Sequence, residues 1–335
     1  MRVDDLDTPF LTADLDAVER NVERMQRYCD DHGLALRPHV KTHKLPRLAR
    51  LQVDAGACGI TCQKIGEAEV FADAGFDDIL ISFPIVGPQK VVRLEELAQR
   101  VRLTVAIDSV EAADAAAAAG VDVLVECDTG GGRTGVQTPE DAAALGANTR
   151  RFRGFMTYPF PAGADAFLRR AVGLARGADW VSVGGTPTAF AAHEGGVATE
   201  LRVGTYVYGD RACLANGTVA VDDCALRVVA TVVSTPTPMR AILDAGSKTL
   251  TSDMAAGATG YGLLVEHPEA EIVQLNEEHA IVDVSGCAER PRVGDRVSVI
   301  PNHACGATNL HDVVALHRSG DAVEVVPVAA RGTIR

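Results

Sequence analysis

Arg102-Leu103-Thr104-Val105-Ala106-Ile107 is an apolar run that stops at the polar pair Asp108-Ser109. A helix-forming stretch follows, Val110-Glu111-Ala112-Ala113-Asp114-Ala115-Ala116-Ala117-Ala118-Ala119, then Gly120, then a second apolar run, Val121–Cys127. A strand-length run, a helical segment closed by glycine and another run make one β-α-β unit. The unit recurs in both directions. Before it stand the runs Phe10–Ala13, Ala35–Val40, Gly59–Cys62 and Asp78–Phe83; after it come Phe152–Tyr158, Trp180–Val183 and Gly204–Tyr208. Stretches of helical period such as Asp14–His32, Gly66–Ala74 and Ala166–Ala175 separate them. About eight strands alternating with helices predict an α/β fold of the TIM-type (β/α)8 barrel kind. An open doubly wound sheet is the alternative, but no Gly-x-Gly-x-x-Gly opens the first unit.

After Asp222 the texture changes. Runs at Ala225–Thr235, Arg240–Leu243, Glu271–Gln274, His279–Val284, Arg296–Ile300, Val313–His317 and Ala322–Val326 are punctuated by turns, with no convincing amphipathic helix between them. The expected organisation is therefore a barrel over 1–225 and a second, mostly antiparallel β domain over 226–335.

Composition narrows the function classes. The 335 residues carry 32 basic against 45 acidic side chains, a net charge of −13, and form no basic patch, so sequence-independent nucleic-acid binding is excluded and an anionic membrane surface disfavoured. Hydrophobic residues at 47% exclude a disordered or collagen-like chain. The polar, acidic start (Met1–Thr8) lacks a signal peptide's apolar region, and no run approaches the ~18 apolar residues of a membrane span. A cytoplasmic location follows as the expectation, with the eight cysteines reduced. Lysine is scarce, at positions 41, 44, 64, 90 and 248 only.

In such a barrel, chemistry belongs at the C-terminal ends of the strands. The second run ends in Arg37-Pro38-His39-Val40-Lys41-Thr42-His43-Lys44. A lysine in a partly desolvated barrel mouth can lose its proton and attack a carbonyl, although a solvated basic loop would read the same way. What favours chemistry is the company at other strand ends: Gln63, Ser82, Asp108, Asp128, Arg133 and Tyr158. Two glycine-rich turns follow strands. One contains Arg133 (Gly130-Gly131-Gly132-Arg133-Thr134-Gly135); the other is Gly184-Gly185-Thr186-Pro187-Thr188, whose backbone N–H groups and hydroxyls suit a phosphate. Arg202-Val203-Gly204-Thr205-Tyr206-Val207-Tyr208 completes the set, with the plain alternative that Arg202 pairs with Glu200. In the β domain, His303 and Cys305 stand at i and i+2, on one side of an extended segment, and could share a borderline-soft cation such as Zn²⁺; an accidental His-x-Cys is the competing reading.

Together these motifs resemble the D-threonine aldolase and D-serine dehydratase group of pyridoxal phosphate enzymes, with the alanine racemase-like fold. The resemblance runs over nearly the whole chain. It implies that Lys41 holds the cofactor covalently and that Lys41 and Tyr158 are catalytic. It further implies a cofactor shell of His39, Arg133, Tyr158, Gly184, Gly185, Thr186, Arg202, Gly204 and Tyr208, with the turn at Gly184–Thr186 and the backbone of Tyr206–Gly209 on the phosphate. The late His303-x-Cys305 pair resembles the divalent-metal site of lyases acting on 3-hydroxy D-amino acids, with Zn²⁺ expected and Mn²⁺ or Mg²⁺ as alternatives. His-x-Cys resembles the D-serine and D-3-hydroxyaspartate dehydratases, whereas His-x-Asp resembles the aldolases.

The resemblance thus implies dehydration of a D-amino acid to a 2-oxo acid and ammonia, with retro-aldol cleavage to glycine and an aldehyde as the alternative. Metal-free racemisation and a non-catalytic cofactor-binding protein are the remaining readings, and the single-barrel proteins of the latter kind have no β domain. One feature departs from the family. Many members place Gly-His shortly after the tyrosine, where Met156–Ala164 has no histidine, so His193 or His39 takes that role or the substrate differs. A homodimer is also implied.

Overall fold

The computed structural model describes residues 2–335. The chain forms two compact units. The barrel unit comprises Arg24–Lys41, Pro46–Gly204 and Gly332–Arg335; the β unit comprises the chain up to Glu23, Thr42–Leu45 and Thr205–Arg331.

The first strand, β1 (Phe10–Asp14), belongs to the β unit. Eight parallel strands then build the barrel: β2 (Ala35–Leu36), β3 (Ile60–Cys62), β4 (Asp78–Ile81), β5 (Arg102–Ile107), β6 (Asp122–Cys127), β7 (Phe152–Thr157), β8 (Trp180–Gly184) and β9 (Glu200–Arg202). Their spatial order is β2-β9-β8-β7-β6-β5-β4-β3. The two ends of that sheet meet: Cys58 N–H donates to Leu36 O at 2.9 Å, Thr61 N–H donates to Pro38 O at 2.8 Å, and His39 and Thr61 form a parallel bridge. That closure makes the barrel.

Its strands read as continuous apolar runs because helices cover one face and the barrel interior the other. Along β5 and β6 only the first residue escapes full burial. Leu80, Ala106, Leu124 and Met156, from four strands, form one buried layer with Trp180 beside it. Burying each large apolar side chain contributes about 1.5–3 kcal/mol. Local signals set the helix ends: the Ser109 hydroxyl accepts from Ala112 N–H at the start of Val110–Ala119, and Gly120 closes that helix at φ +68°.

Three expectations are corrected. Phe10–Ala13 is not the first barrel strand: β1 pairs antiparallel with β10 (Leu226–Thr237; Phe10 opposite Val229) and parallel with a strand at Val313–Arg318 (Thr12 opposite Ala315). A short apolar run specifies burial but not which sheet supplies the partner. Gly204–Tyr208 is no strand either; Thr205–Val207 is a 3-10 turn, and the eighth barrel strand is β9. Two of the three β9 residues are charged, which hid it from an apolar pattern, yet all three are buried because Glu200 and Arg202 find polar partners inside. Third, the units do not follow the linear split at 225 and 226: the N-terminal segment and Thr205–Ala225 group with the β unit, to which β1 is hydrogen-bonded.

The β unit continues with β11 (Arg240–Leu243), β12 (Leu263–Leu264), β13 (Glu271–Leu275), β14 (Ala280–Asp283), β15 (Arg296–Ile300), β16 (Val313–Arg318) and β17 (Asp321–Pro327). With β1 and β10 they make a nine-stranded sheet, antiparallel except for the β1–β16 pair. Ala304–Leu310 is a helix where none was expected. Its Gly, Thr and Asn give it weak intrinsic propensity. Asp210 holds its start, accepting from Ala304 N–H at 3.1 Å. Among the described residues no helix is long and apolar enough to cross a membrane.

Candidate active site

Parallel strands in register bring the residues that follow them to one rim. Gln63, Ser82, Asp108, Asp128, Tyr158 and Gly185 each stand one position past a barrel strand. Lys41 lies in the 3-10 turn Val40–Thr42 that follows β2, and its Nζ donates to Gln63 Oε1 at 3.2 Å. The buried His39 ring donates from Nε2 to the same oxygen at 3.1 Å and lies 3.1 Å from Ser82 Oγ. Gln63 in turn donates through Nε2 to Ser82 O at 3.2 Å. Gln63 thereby fixes both the lysine amine and the His39 tautomer, since Nε2 carries the proton and Nδ1 faces Lys41 N–H at 3.5 Å.

Beyond β6, Asp128 Oδ1 accepts the backbone N–H groups of Gly130, Gly131 and Gly132 at 2.9, 2.8 and 3.1 Å, which curls the first glycine turn and holds the Asp128 carboxyl below its ordinary range. That turn puts the Arg133 guanidinium 4.7 Å from the Tyr158 ring centre, at cation–π distance. Tyr158 also covers the second turn. A Cβ on Gly184 would stand 3.5 Å from its ring, and one on Gly185, which adopts φ +121°, 3.6 Å. Gly184 and Gly185 lead into the 3-10 turn Thr186–Ala191, a backbone cradle whose first N–H groups are of the kind that bind anions.

Beneath this rim lies a buried polar chain. Arg37 donates to Glu200 Oε2 at 2.7 Å and to Asp78 Oδ1 at 2.6 Å; Ser182 donates to Glu200 Oε1 at 2.5 Å. Arg202 does not take Glu200 as its hydrogen-bond partner. It donates instead to Ser182 Oγ and Thr157 O, both at 2.8 Å. Glu126 is buried, Thr134 Oγ1 donates to it at 3.0 Å, and burial pushes its carboxyl up. His193 is engaged elsewhere, sharing a 2.8 Å hydrogen bond with Tyr28 and stacking on His32.

In the β unit, Tyr208 is fully buried, edge-on to His43, and its hydroxyl has no hydrogen-bond partner among the described residues; burial pushes the phenol up. A buried donor left unpaired costs about 1–3 kcal/mol, so the residue suits a ligand that accepts its proton. His303 is the cap residue before helix Ala304–Leu310 and Cys305 lies in the first turn, so the pair is gathered by a helix start and not by an extended strand. The neighbouring Cys305, with the nearby Asp253 and Asp210, pushes His303 up to about 9. His303 Nδ1–H donates to Asp253 Oδ2 at 2.7 Å. Cys305 Sγ lies 3.3 Å from the hydroxyl of Thr42, the residue next to Lys41 in the chain. Among the described residues no group of three or more His, Cys, Asp and Glu is arranged to hold a metal ion. An imidazole and a thiol side by side nevertheless form a donor pair suited to a borderline-soft cation with open positions.

The family model for the alanine racemase N-terminal domain matches residues 13–212, and a serine dehydratase domain model matches residues 225–317. The chain belongs to the alanine racemase-like family. Within this family it is 36% identical to a D-threonine aldolase from Arthrobacter, over 98% of this chain and 94% of the relative. It is 35% identical to a D-threo-3-hydroxyaspartate dehydratase from Delftia, over 90% of this chain and 91% of the relative. Among solved structures, a D-threonine aldolase from Filomicrobium marinum superposes with a TM-score of 0.85 at 33% identity, covering 99% and 97% of the two chains. The Delftia dehydratase gives 0.85 at 32% identity, covering 97% and 98%. Solved variants of a D-threo-3-hydroxyaspartate dehydratase carry alanine for a histidine and for a cysteine two positions further on, the cysteine variant being in a metal-free form. Alanine racemases at 14–16% identity share the fold.

An alanine racemase-like barrel implies pyridoxal phosphate, and the residues present fit it. A lysine at the rim and a glycine cradle are what it asks of the barrel. Asp253 was missed in the sequence, since it lies 50 residues from His303 in a loop without a motif.

Proposed function

We propose that this chain is a cytoplasmic, homodimeric pyridoxal phosphate lyase that dehydrates a 3-hydroxy D-amino acid to a 2-oxo acid and ammonia. The observation that carries this reading is the His303–Cys305 pair at the helix start, matching in residue type and spacing the histidine and cysteine replaced in the two dehydratase variants.

Pyridoxal phosphate, when bound, acts as an electron sink that lets a bond at the substrate Cα break. Lys41 would hold it covalently and, once the substrate amine has displaced Nζ, would take the Cα proton on the freed amine, which Gln63 orients. Gly184, Gly185 and Thr186 receive the phosphate on backbone N–H groups, and the resemblance adds Gly204 and the Tyr208 hydroxyl to the shell. Tyr158 and Arg133 cover the cradle, and Arg202, anchored by Ser182 and Thr157, supplies a fixed positive charge. His39 keeps Gln63 in place and stands at the rim, where the family's Gly-His is missing. A divalent metal, expected to be Zn²⁺, supplies Lewis-acid chemistry at the 3-hydroxyl when held by His303 and Cys305.

The retro-aldol alternative is favoured by the 36% identity to a D-threonine aldolase. Product analysis on D-serine, D-threonine and D-3-hydroxyaspartate decides between them. A 2-oxo acid with ammonia is the expected result; glycine with an aldehyde establishes the aldolase, and inversion without cleavage would make the chain a racemase.

A further inference from the structure

Three features converge on Asp253. Thr251 is held at φ +70°, ψ 165°, a region that glycine enters freely and a side chain does not. Its hydroxyl accepts Asp253 N–H at 2.9 Å, and its own N–H donates to Ser247 O at 3.1 Å. The buried Asn302, immediately before His303, donates to Asp253 O at 2.9 Å and to Gly260 O at 2.8 Å, so the backbone at Asp253 is tied to the segment carrying the metal pair. Gly306, immediately after Cys305, sits inside a helix, where glycine is less stable than alanine. A Cβ there would stand 2.9 Å from Thr251 Cγ2 and 3.1 Å from Asp253 Oδ2. The missing side chain leaves room for the carboxylate to reach His303 Nδ1 at 2.7 Å. An exposed ion pair alone is a weak interaction and gives no reason for such an arrangement.

We infer that Asp253 is a positioning residue for the metal pair, accepting His303 Nδ1–H so that Nε2 is left as the ligating nitrogen and the imidazole is held beside Cys305. This rests on the proposal that His303 and Cys305 bind a divalent metal. A carboxylate behind a ligating histidine fixes the ring's tautomer and rotation and raises its basicity, and losing it typically lowers metal affinity 10–100-fold. Asp253→Asn keeps an oxygen that can accept Nδ1–H but loses the charge. Gly306→Ala keeps the carboxylate but presses on it. Both therefore sit between the parent and Asp253→Ala.

The test is Zn²⁺ affinity of the full-length, cofactor-loaded protein after metal stripping, measured by competition with a chromophoric chelator. Co²⁺ absorption reports the thiolate ligand, and cofactor absorbance and circular dichroism report the rest of the molecule. Asp253→Ala is expected to weaken Zn²⁺ binding roughly 10–100-fold, and Asp253→Asn and Gly306→Ala by less, with cofactor absorbance unchanged. If Asp253→Ala stays within twofold of the parent while His303→Ala and Cys305→Ala lose Zn²⁺, the positioning role is wrong and the metal pair stands. If His303→Ala and Cys305→Ala bind Zn²⁺ like the parent, the metal pair itself is wrong and this inference falls with it. Should Asp253→Ala fail to fold, Asp253→Asn and Gly306→Ala decide: affinities equal to the parent in both overturn the role.

Discussion

The barrel rim and the His303 cluster gather polar residues by opposite means. At the rim, regular geometry does the placing: parallel strands in register set Gln63, Ser82, Asp108, Asp128, Tyr158 and Gly185 at equivalent positions, and hydrogen bonds then join Lys41, Gln63, His39 and Ser82. In the β unit, exceptions do the placing: a helix-cap histidine, a threonine in a left-handed conformation and a glycine whose missing Cβ makes room. Regular placement tolerates varied side chains at each strand end. Placement by exception fixes one constellation and depends on particular residues.

If the comparison holds, cofactor attachment belongs to the rim and metal binding to the His303 cluster, and each can be removed alone. The largest effect is expected for Lys41→Ala, which lowers kcat/KM by at least ~10³-fold, within the range of a lost general base. Mass spectrometry after borohydride treatment should find no cofactor fixed to the chain while metal content stays at the parental level; a surviving adduct would move the attachment elsewhere. Arg37→Met strands Glu200 and Asp78 inside the barrel, and breaking a buried pair this way costs about 3 kcal/mol or more in denaturant unfolding. A loss under ~1 kcal/mol would mean that the buried chain does not support the rim.

Chelation comes next: EDTA should cut lyase turnover roughly 10²-fold, the scale of one lost electrostatic stabiliser, with recovery on adding Zn²⁺ and no bleaching of the cofactor. Bleaching on metal removal would break the comparison outright. The smallest effect is for Glu126→Gln. Burial raises the Glu126 pKa, so the folded state holds its proton more tightly than the unfolded chain, and stability falls as pH rises from the ordinary value of 4.5 through the folded one. Removing that penalty should raise the neutral-pH unfolding free energy and change nothing below pH 4.5. An equal shift at both pH values would assign the effect to packing.

Much of this was legible in the chain. The β5–β6 unit announces itself because strands buried on both faces are apolar throughout and Ser109 and Gly120 bracket the helix between them. Lys41 stood out by scarcity and company. Legibility failed where burial and polarity part: Glu200 and Arg202 form a core strand only because Arg37, Ser182 and Thr157 satisfy them, and those partners are distant in sequence. Phe10–Asp14 showed its burial but not its sheet, since an apolar run records no partner. Asp253 was out of reach for a related reason, because its meaning comes from a glycine 53 residues later in the chain.

The barrel's closure bears on how the molecule breathes. Two backbone hydrogen bonds and the His39–Thr61 bridge join β2 to β3, whereas β5 and β6 are joined in register over four residue pairs. Local opening proceeds where the fewest bonds must break, so amide deuteration should reach Cys58 and Thr61 before the amides of β5 and β6. The Lys41 turn follows directly on that seam, on the side of the barrel first to admit solvent.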